Sequence, residues 1–217
     1  MSAGELLARG LERLGIAWTP GQLEALESHR RELERWNRAY GLVKACGEEL
    51  VVRHFLDSLA GLPVIAGLQP RRTLLDVGSG AGFPGIPLAV FLQDCEVTLL
   101  ERSARRAAFL ANVVLLLGLR HVRVEEKQLA ELAGRFDLVT FRGFTPLDRD
   151  LAGLRAAVSP GGHLVAYKGR RERIRAELEA AGITEAEAAV FPLQVPFLEA
   201  ERHLVVVRGS SGETNFR

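Results

Sequence analysis

The sequence predicts an α/β fold: a mostly parallel sheet covered by helices, closed by an antiparallel C-terminal hairpin and preceded by a helical N-terminal extension. Three observations carry this reading. Apolar residues recur at helical spacing through residues 1–70. From residue 73 short apolar runs alternate with helical stretches, the signature of parallel strands joined by crossover helices. A glycine-rich turn sits where the first strand candidate gives way to a helix.

In the extension, Leu6, Leu7, Leu11 and Leu14 mark a first helix that Gly15 can stop. Thr19 and Pro20 fit the cap and first turn of a second helix, with Leu23, Leu26, Leu33, Trp36 and Tyr40 on one apolar face. A third helix is expected over about residues 48–60, and residues 67–72 form a boundary. Strands are expected at 73–77, 97–100, 122–125, 138–141 and 163–167. Helices are expected at 85–91, 104–117, 129–132, 147–158 and 170–181. Two last strands, at 189–195 and 203–207, are joined by a short loop and so form a hairpin. The expected organisation is an extension over 1–70, a Rossmann-like domain over 71–208 and a flexible tail over 209–217.

With 217 residues, 47% of them hydrophobic and 25% charged, the chain has globular composition. Its formal net charge of +1 creates no global field towards nucleic acid, so any RNA affinity must come from local basic patches, and no DNA partner is expected. Cys46 and Cys95 form no metal or disulfide spacing and read as reduced thiols. Glu5, Arg9, Glu12 and Arg13 occupy the place of a signal-peptide core, and apolar runs such as residues 113–117 are too short to span a bilayer. A cytoplasmic protein with no membrane partner is expected.

The segment from Leu74 to Pro87 reads LLDVGSGAGFPGIP. Glycines at 78, 80, 82 and 85 permit positive φ and close approach of backbone to a ligand. The next strand ends in Glu101, about twenty residues on, where an acid can accept two hydrogen bonds from ribose hydroxyls. Gly80 to Gly85 also satisfies the dinucleotide fingerprint, so a nicotinamide-dependent oxidoreductase stays open. Three features favour S-adenosylmethionine. Asp76 precedes the first glycine to give a D-x-G-x-G-x-G run. Pro84 and Pro87 remove N–H donors a pyrophosphate would use, and the last hairpin matches methyltransferase sheets.

These residues resemble the bacterial ribosomal RNA small subunit methyltransferase G family, also called glucose-inhibited division protein B, from about Leu33 to Arg208. The motifs that carry the resemblance are Trp36-Asn37 with Tyr40, the string RHFLDS from Arg53, and DVGSGAGFPGIPL from Asp76. Arg105-Arg106, Phe109-Leu110, Phe136-Asp137 with Arg142 and Phe144, Lys168-Gly169 and the string ERHLV from Glu201 complete them. The resemblance implies a Rossmann-like S-adenosylmethionine-dependent methyltransferase that acts on N7 of a guanine in 16S ribosomal RNA, within the small ribosomal subunit or an assembly intermediate. It implies cofactor contacts from Gly78 and Phe83, adenine packing at Leu129 and Ala130, and a functional arginine at Arg142. Gly41, Gln128, Ala130, Gly143 and Thr145-Pro146 depart from the family pattern.

Guanine N7 carries a lone pair and no proton, so methyl transfer to it needs alignment and no general base. The sequence agrees, with no Ser/His/Asp or Cys/His arrangement and no metal spacing, so no metal is expected. The expected cofactor-binding residues are Asp76, Gly78, Gly80, Phe83, Glu101, Leu129, Ala130 and Arg142. Arg142 and Lys168, at the carboxyl ends of the fourth and fifth strands, are the expected catalytic residues. Against them stand plainer roles: a surface ion pair for Arg142, and a His54–Asp57 pair that joins helix to sheet. Arg202 and His203 are read as fold-holding, at a sheet end distant from the methyl group. Basic clusters at His29, Arg30, Arg31, Arg35 and Arg38, at Arg102, Arg105 and Arg106, and at Arg170, Arg171, Arg173 and Arg175 are diluted by Glu. Each reads equally as RNA contact or solvated helix face. A methyltransferase acting on another RNA, a protein or a small molecule, and a cofactor-binding regulatory module, remain alternatives.

Overall fold

The computed structural model describes residues 2–143 and 147–209. Phe144, Thr145, Pro146 and the tail beyond Gly209 lie outside the described residues.

Helix α1 (Ala3–Arg13) opens on a capping box in which Ser2 Oγ accepts from Glu5 N and Glu5 Oε2 accepts from Ser2 N. Helix α2 (Pro20–Tyr40) opens on a second box between Thr19 and Gln22, and stops at Gly41, where φ is 58°. Leu26 and Leu33 of α2 are buried, but Tyr40 is 46% exposed and leans on Trp36 rather than completing the apolar face.

The third predicted helix is a compound one. Helix α3 (Gly47–Leu50) continues through a π-helical segment (Val51–Leu56) into α4 (Asp57–Ala60), and α5 (Leu62–Gly67), absent from the sequence reading, follows Gly61. A Cβ at Gly61 would stand 2.5 Å from the Tyr167 hydroxyl, which donates to Ser58 O at 2.6 Å, so this glycine lets the helix lie against the sheet. The run Gly47–Gly67 is long and apolar enough to cross a bilayer by length and composition alone. It is 67% buried inside the protein, as a core helix is.

The sheet has seven strands in the order β3-β2-β1-β4-β5-β7-β6. Strands β1 (Thr73–Val77), β2 (Glu96–Leu100), β3 (Val122–Glu125), β4 (Phe136–Arg142) and β5 (Val158–Lys168) are parallel. Strand β7 (Arg202–Arg208) inserts antiparallel between β5 and β6 (Ala188–Leu193). Helices α6 (Gly85–Phe91), α7 (Ala104–Leu116), α8 (Leu147–Ala156) and α9 (Arg171–Ala180), with a 3-10 turn at Leu129–Glu131, make the connections. Strand β5 starts at Val158, which pairs with Phe136; the sequence reading placed Val158 at the end of the preceding helix.

The sheet buries both faces, as a parallel sheet must. Leu74, Leu138, Val165 and Leu204 face one side, in a core shared with Leu26 of α2 and Phe55 of the π segment. Leu75, Val139, Phe141 and Val205 face the other, against Leu154 of α8 and Ile174 of α9. Because β7 is antiparallel to β5, its first residues lie at the carboxyl end of β5, with His203 opposite Lys168. Arg202 therefore stands on the same rim as Arg142, not at the distant sheet end expected of it.

Candidate active site

The site begins where β1 and β2 end side by side, with Val77 opposite Leu100. Gly78, Gly80 and Gly82 have φ of 69°, 59° and 91°, the left-handed region that favours glycine. Glu101, 4% exposed, holds this turn in place. Its Oε2 accepts from Gly80 N at 3.0 Å and its Oε1 from Ser103 N at 2.9 Å, so one carboxylate ties the glycine turn to the start of α7. A carboxylate has about four lone-pair sites, and two of these stay available to a ligand.

Asp76 is fully buried beneath the turn. Its Oδ2 accepts from Gly85 N at 3.0 Å, and its Oδ1 has no partner. Burial pushes this carboxyl up to about 7, against the Gly85 N–H that favours the charged form. A Cβ on Gly85 would stand 2.6 Å from Asp76 Oδ2 and 2.4 Å from Leu99 Cδ2, which is why the position is glycine. Beyond the turn opens a cavity of about 450 Å³, lined by Gly78, Glu101, Arg106, Leu129, Ala130 and Gly143 among others. It has the size of a small-molecule site. Gly78, Glu101, Leu129 and Ala130 thus meet around one space, with Gly80 bound to its wall; Asp76, Phe83, Arg142 and Lys168 do not line it.

The turn is also gripped from behind. His29 of α2, wholly buried, places Nε2 2.9 Å from Ala81 O and stacks on Phe83 with ring centroids 5.0 Å apart. Burial lowers its pKa to about 4, so it is neutral. The sequence reading counted His29 in a basic cluster. The signal that places it inside is its spacing between Leu26 and Leu33 on the buried stripe.

Arg142 is 17% exposed and turned back onto the helices. One guanidinium nitrogen, Nη1, donates to Asp57 Oδ2 at 2.7 Å and to Arg53 O at 3.0 Å, while Nη2 lies 2.7 Å from His54 Nδ1. Asp57 Oδ1 in turn accepts from Arg202 Nε at 2.9 Å. Burial, then the Arg142 and Arg53 charges, lower the His54 pKa to about 3. His54 and Asp57 therefore join helix to sheet through two arginines from β4 and β7. Lys168 points to the opposite face and donates to Glu177 of α9 at 2.6 Å. Among the described residues no group of three or more His, Cys, Asp or Glu could hold a metal.

A model of the family described as rRNA small subunit methyltransferase G (GidB) matches residues 22–205. The chain belongs to this family. The protein of that name from Treponema pallidum is 39% identical over 210 residues, spanning 93% of this chain and 92% of its own. Its counterpart from Alkalilimnicola ehrlichii is 39% identical over 203 residues, 92% of this chain and 89% of its own. The O-methyltransferase from Bacillus cereus, solved in complex with SAH, superposes with a TM-score of 0.61 over 84% of this chain and 91% of that one at 18% identity, a likeness of fold. Membership of the methyltransferase G family makes the chain an S-adenosylmethionine-dependent enzyme acting on rRNA and removes the nicotinamide alternative. The residues present fit that cofactor: a turn whose glycines take positive φ, and a cavity of suitable volume lined by Gly78, Glu101, Leu129 and Ala130.

Proposed function

We propose that the chain methylates N7 of a guanine in 16S ribosomal RNA, in the small ribosomal subunit or an assembly intermediate, in the cytoplasm. The observation that carries this reading is the state of the titratable groups at the carboxyl ends of β4 and β5. His54 is neutral with Nδ1 already facing Arg142, Asp57 is held by two arginines, and Lys168 is bound to Glu177. None is placed to take a proton, and N7 has none to give.

S-adenosylmethionine, when bound, supplies an electrophilic methyl group on a sulfonium. The work left to the protein is to position and to exclude water. Gly78, Gly80 and Phe83 shape the turn that receives the cofactor, and Asp76 keeps that turn closed through Gly85. Glu101 offers its remaining lone pairs to ribose hydroxyls, while Leu129 and Ala130 form the apolar wall for the base. Arg142 fixes the rim on which the acceptor is aligned, and Lys168 holds the neighbouring edge. Residues 1–70 serve as an extension that backs the cofactor turn of the 71–208 domain. Methyl transfer from labelled cofactor to small subunits lacking the modification, followed by mapping of the methylated base, tests the reading. Label on guanine N7 of 16S rRNA is expected; label at another position or on protein overturns it.

A further inference from the structure

The basic clusters seen in the sequence differ in how far their arginines are paired. Three arginines of α2 are spent within their own helix: Arg30 pairs with Glu27 and Glu34, Arg31 with Glu24, and Arg35 with Glu32. Arg175 of α9 likewise pairs with Glu179. By contrast, Arg102, Arg106, Arg170 and Arg173 are exposed, and among the described residues none pairs with a carboxylate. These four are not scattered. Arg102 and Arg106 line the cofactor cavity, whereas Arg170 and Arg173 line a second cavity of about 370 Å³ beyond the end of β5, floored by Lys168 and Glu177. Gly143, immediately after β4, lines both cavities and is their shared edge.

We propose that the cavity between Gly143 and α9 is a phosphodiester site, in which Arg170 and Arg173 grip the RNA backbone next to the target nucleotide while the base turns across Gly143 towards the cofactor. The chemistry selects a phosphate for three reasons. Unpaired guanidinium groups at a concave site favour an anion with several acceptor oxygens. Lys168 is already neutralised by Glu177, so the net charge facing the cavity comes from the two arginines. No exposed aromatic stands among the cavity's residues to stack a base, which argues for backbone grip rather than base readout there. Gly143 has no side chain to stand between the cavities, and a Cβ there would meet nothing within 4 Å. This assignment rests on the rRNA reading above and adds the path by which the strand approaches.

The test compares the full-length wild type with Arg170→Ala/Arg173→Ala, Arg170→Lys/Arg173→Lys and Arg30→Ala/Arg31→Ala/Arg35→Ala. The readouts are binding of small subunits lacking the modification across a salt series, the KM for those subunits, and calorimetric affinity for S-adenosylmethionine. Each phosphate contact contributes about 0.7 to the log–log salt slope on single strands. The alanine pair is expected to lower the slope by about 1.4 and raise the KM roughly tenfold, with kcat and cofactor affinity unchanged. The lysine pair is expected to restore most of the slope, and the α2 triple variant to leave it at the wild-type value. A wild-type slope in the alanine pair, or a parallel loss of cofactor affinity, overturns the phosphate assignment. Failure of the underlying rRNA reading looks different: wild-type protein that neither methylates the subunits nor binds them in a salt-dependent way.

Discussion

His29 Nε2 lies 2.9 Å from the carbonyl oxygen of Ala81, so helix α2 touches the glycine turn that follows β1. The neutral ring donates from Nε2, and its stack on Phe83 fixes the angle of that donation. Phenylalanine can fill the same aromatic cage but leaves Ala81 O without a donor, a loss of about 1–3 kcal/mol for a buried acceptor. His29→Phe is expected to keep the helical and strand content. It should lower the denaturation midpoint and weaken S-adenosylmethionine binding several-fold in calorimetry. Cofactor affinity equal to wild type would mean that the turn holds its shape without α2.

The buried ionisable groups give stability a pH dependence with two opposed signs. His29 has a folded pKa of about 4 and His54 of about 3, both below the unfolded value of 6.5. Between 6.5 and those values the unfolded chain binds protons that the folded chain refuses, so their contribution is complete above 6.5 and is lost on acidification. Asp76 works the other way. Its folded pKa of about 7 exceeds the ordinary 3.8, so it disfavours the folded state progressively as pH rises from 3.8 to 7. Urea denaturation at several pH values separates the two. The gap between wild type and His29→Phe should shrink as pH falls from about 6.5 to 4. Asp76→Asn should gain on wild type as pH rises from about 4 to 7 and then run level. Parallel curves for all three proteins would contradict the burial of these groups.

Glu101 is expected from the sequence to be a ribose partner. Its two backbone bonds add a structural role, because Glu101→Ala strands the N–H groups of Gly80 and Ser103 as well. Charge-assisted bonds contribute about 1.5–3 kcal/mol each, so the alanine variant should lose both stability and roughly tenfold or more in cofactor affinity. Glu101→Gln, which retains one acceptor, should fall between. An alanine variant as stable as wild type by denaturant melt would show that the two backbone groups find other partners.

Local chemistry made the sheet and its first turn legible. The ends of β1, α6 and β3 coincide with the sequence reading because each is bounded by residues that leave little choice, such as the glycines at 78 and 80 that must take positive φ. The start of β5 was missed because Ser159-Pro160-Gly161-Gly162 has the composition of a turn, although the strand assignment begins before it at Val158. The π segment and α5 left no periodic trace that separates them from an ordinary helix. Around the candidate site, the contacts made across long separations are the part that local sequence does not show. His29 reaches Ala81 across 52 residues and Arg202 reaches Asp57 across 145, separations for which a single sequence carries no pattern.

Arg142, an expected catalytic residue, is turned onto the helices and can act by positioning. The guanidinium spans Asp57, His54 and Arg53 O in a planar fork, with its centre 5.4 Å above the Phe83 ring. Its removal leaves Asp57 to Arg202 alone and frees the π segment from the end of β4. The rim that aligns the acceptor then loosens, and misplacement by about an ångström can cost on the order of a hundredfold in rate. Arg142→Ala is therefore expected to depress methyl transfer at saturating S-adenosylmethionine by about that factor. Arg142→Lys should recover little, since an ammonium can reach Asp57 but cannot serve all three partners at once. Asp57→Asn separates positioning from direct contact with the substrate. If Arg142 acts by holding the rim, Asp57→Asn should lose rate nearly as strongly, because the arginine has lost its anchor. If Asp57→Asn keeps near wild-type turnover while Arg142→Ala does not, the guanidinium touches the acceptor itself.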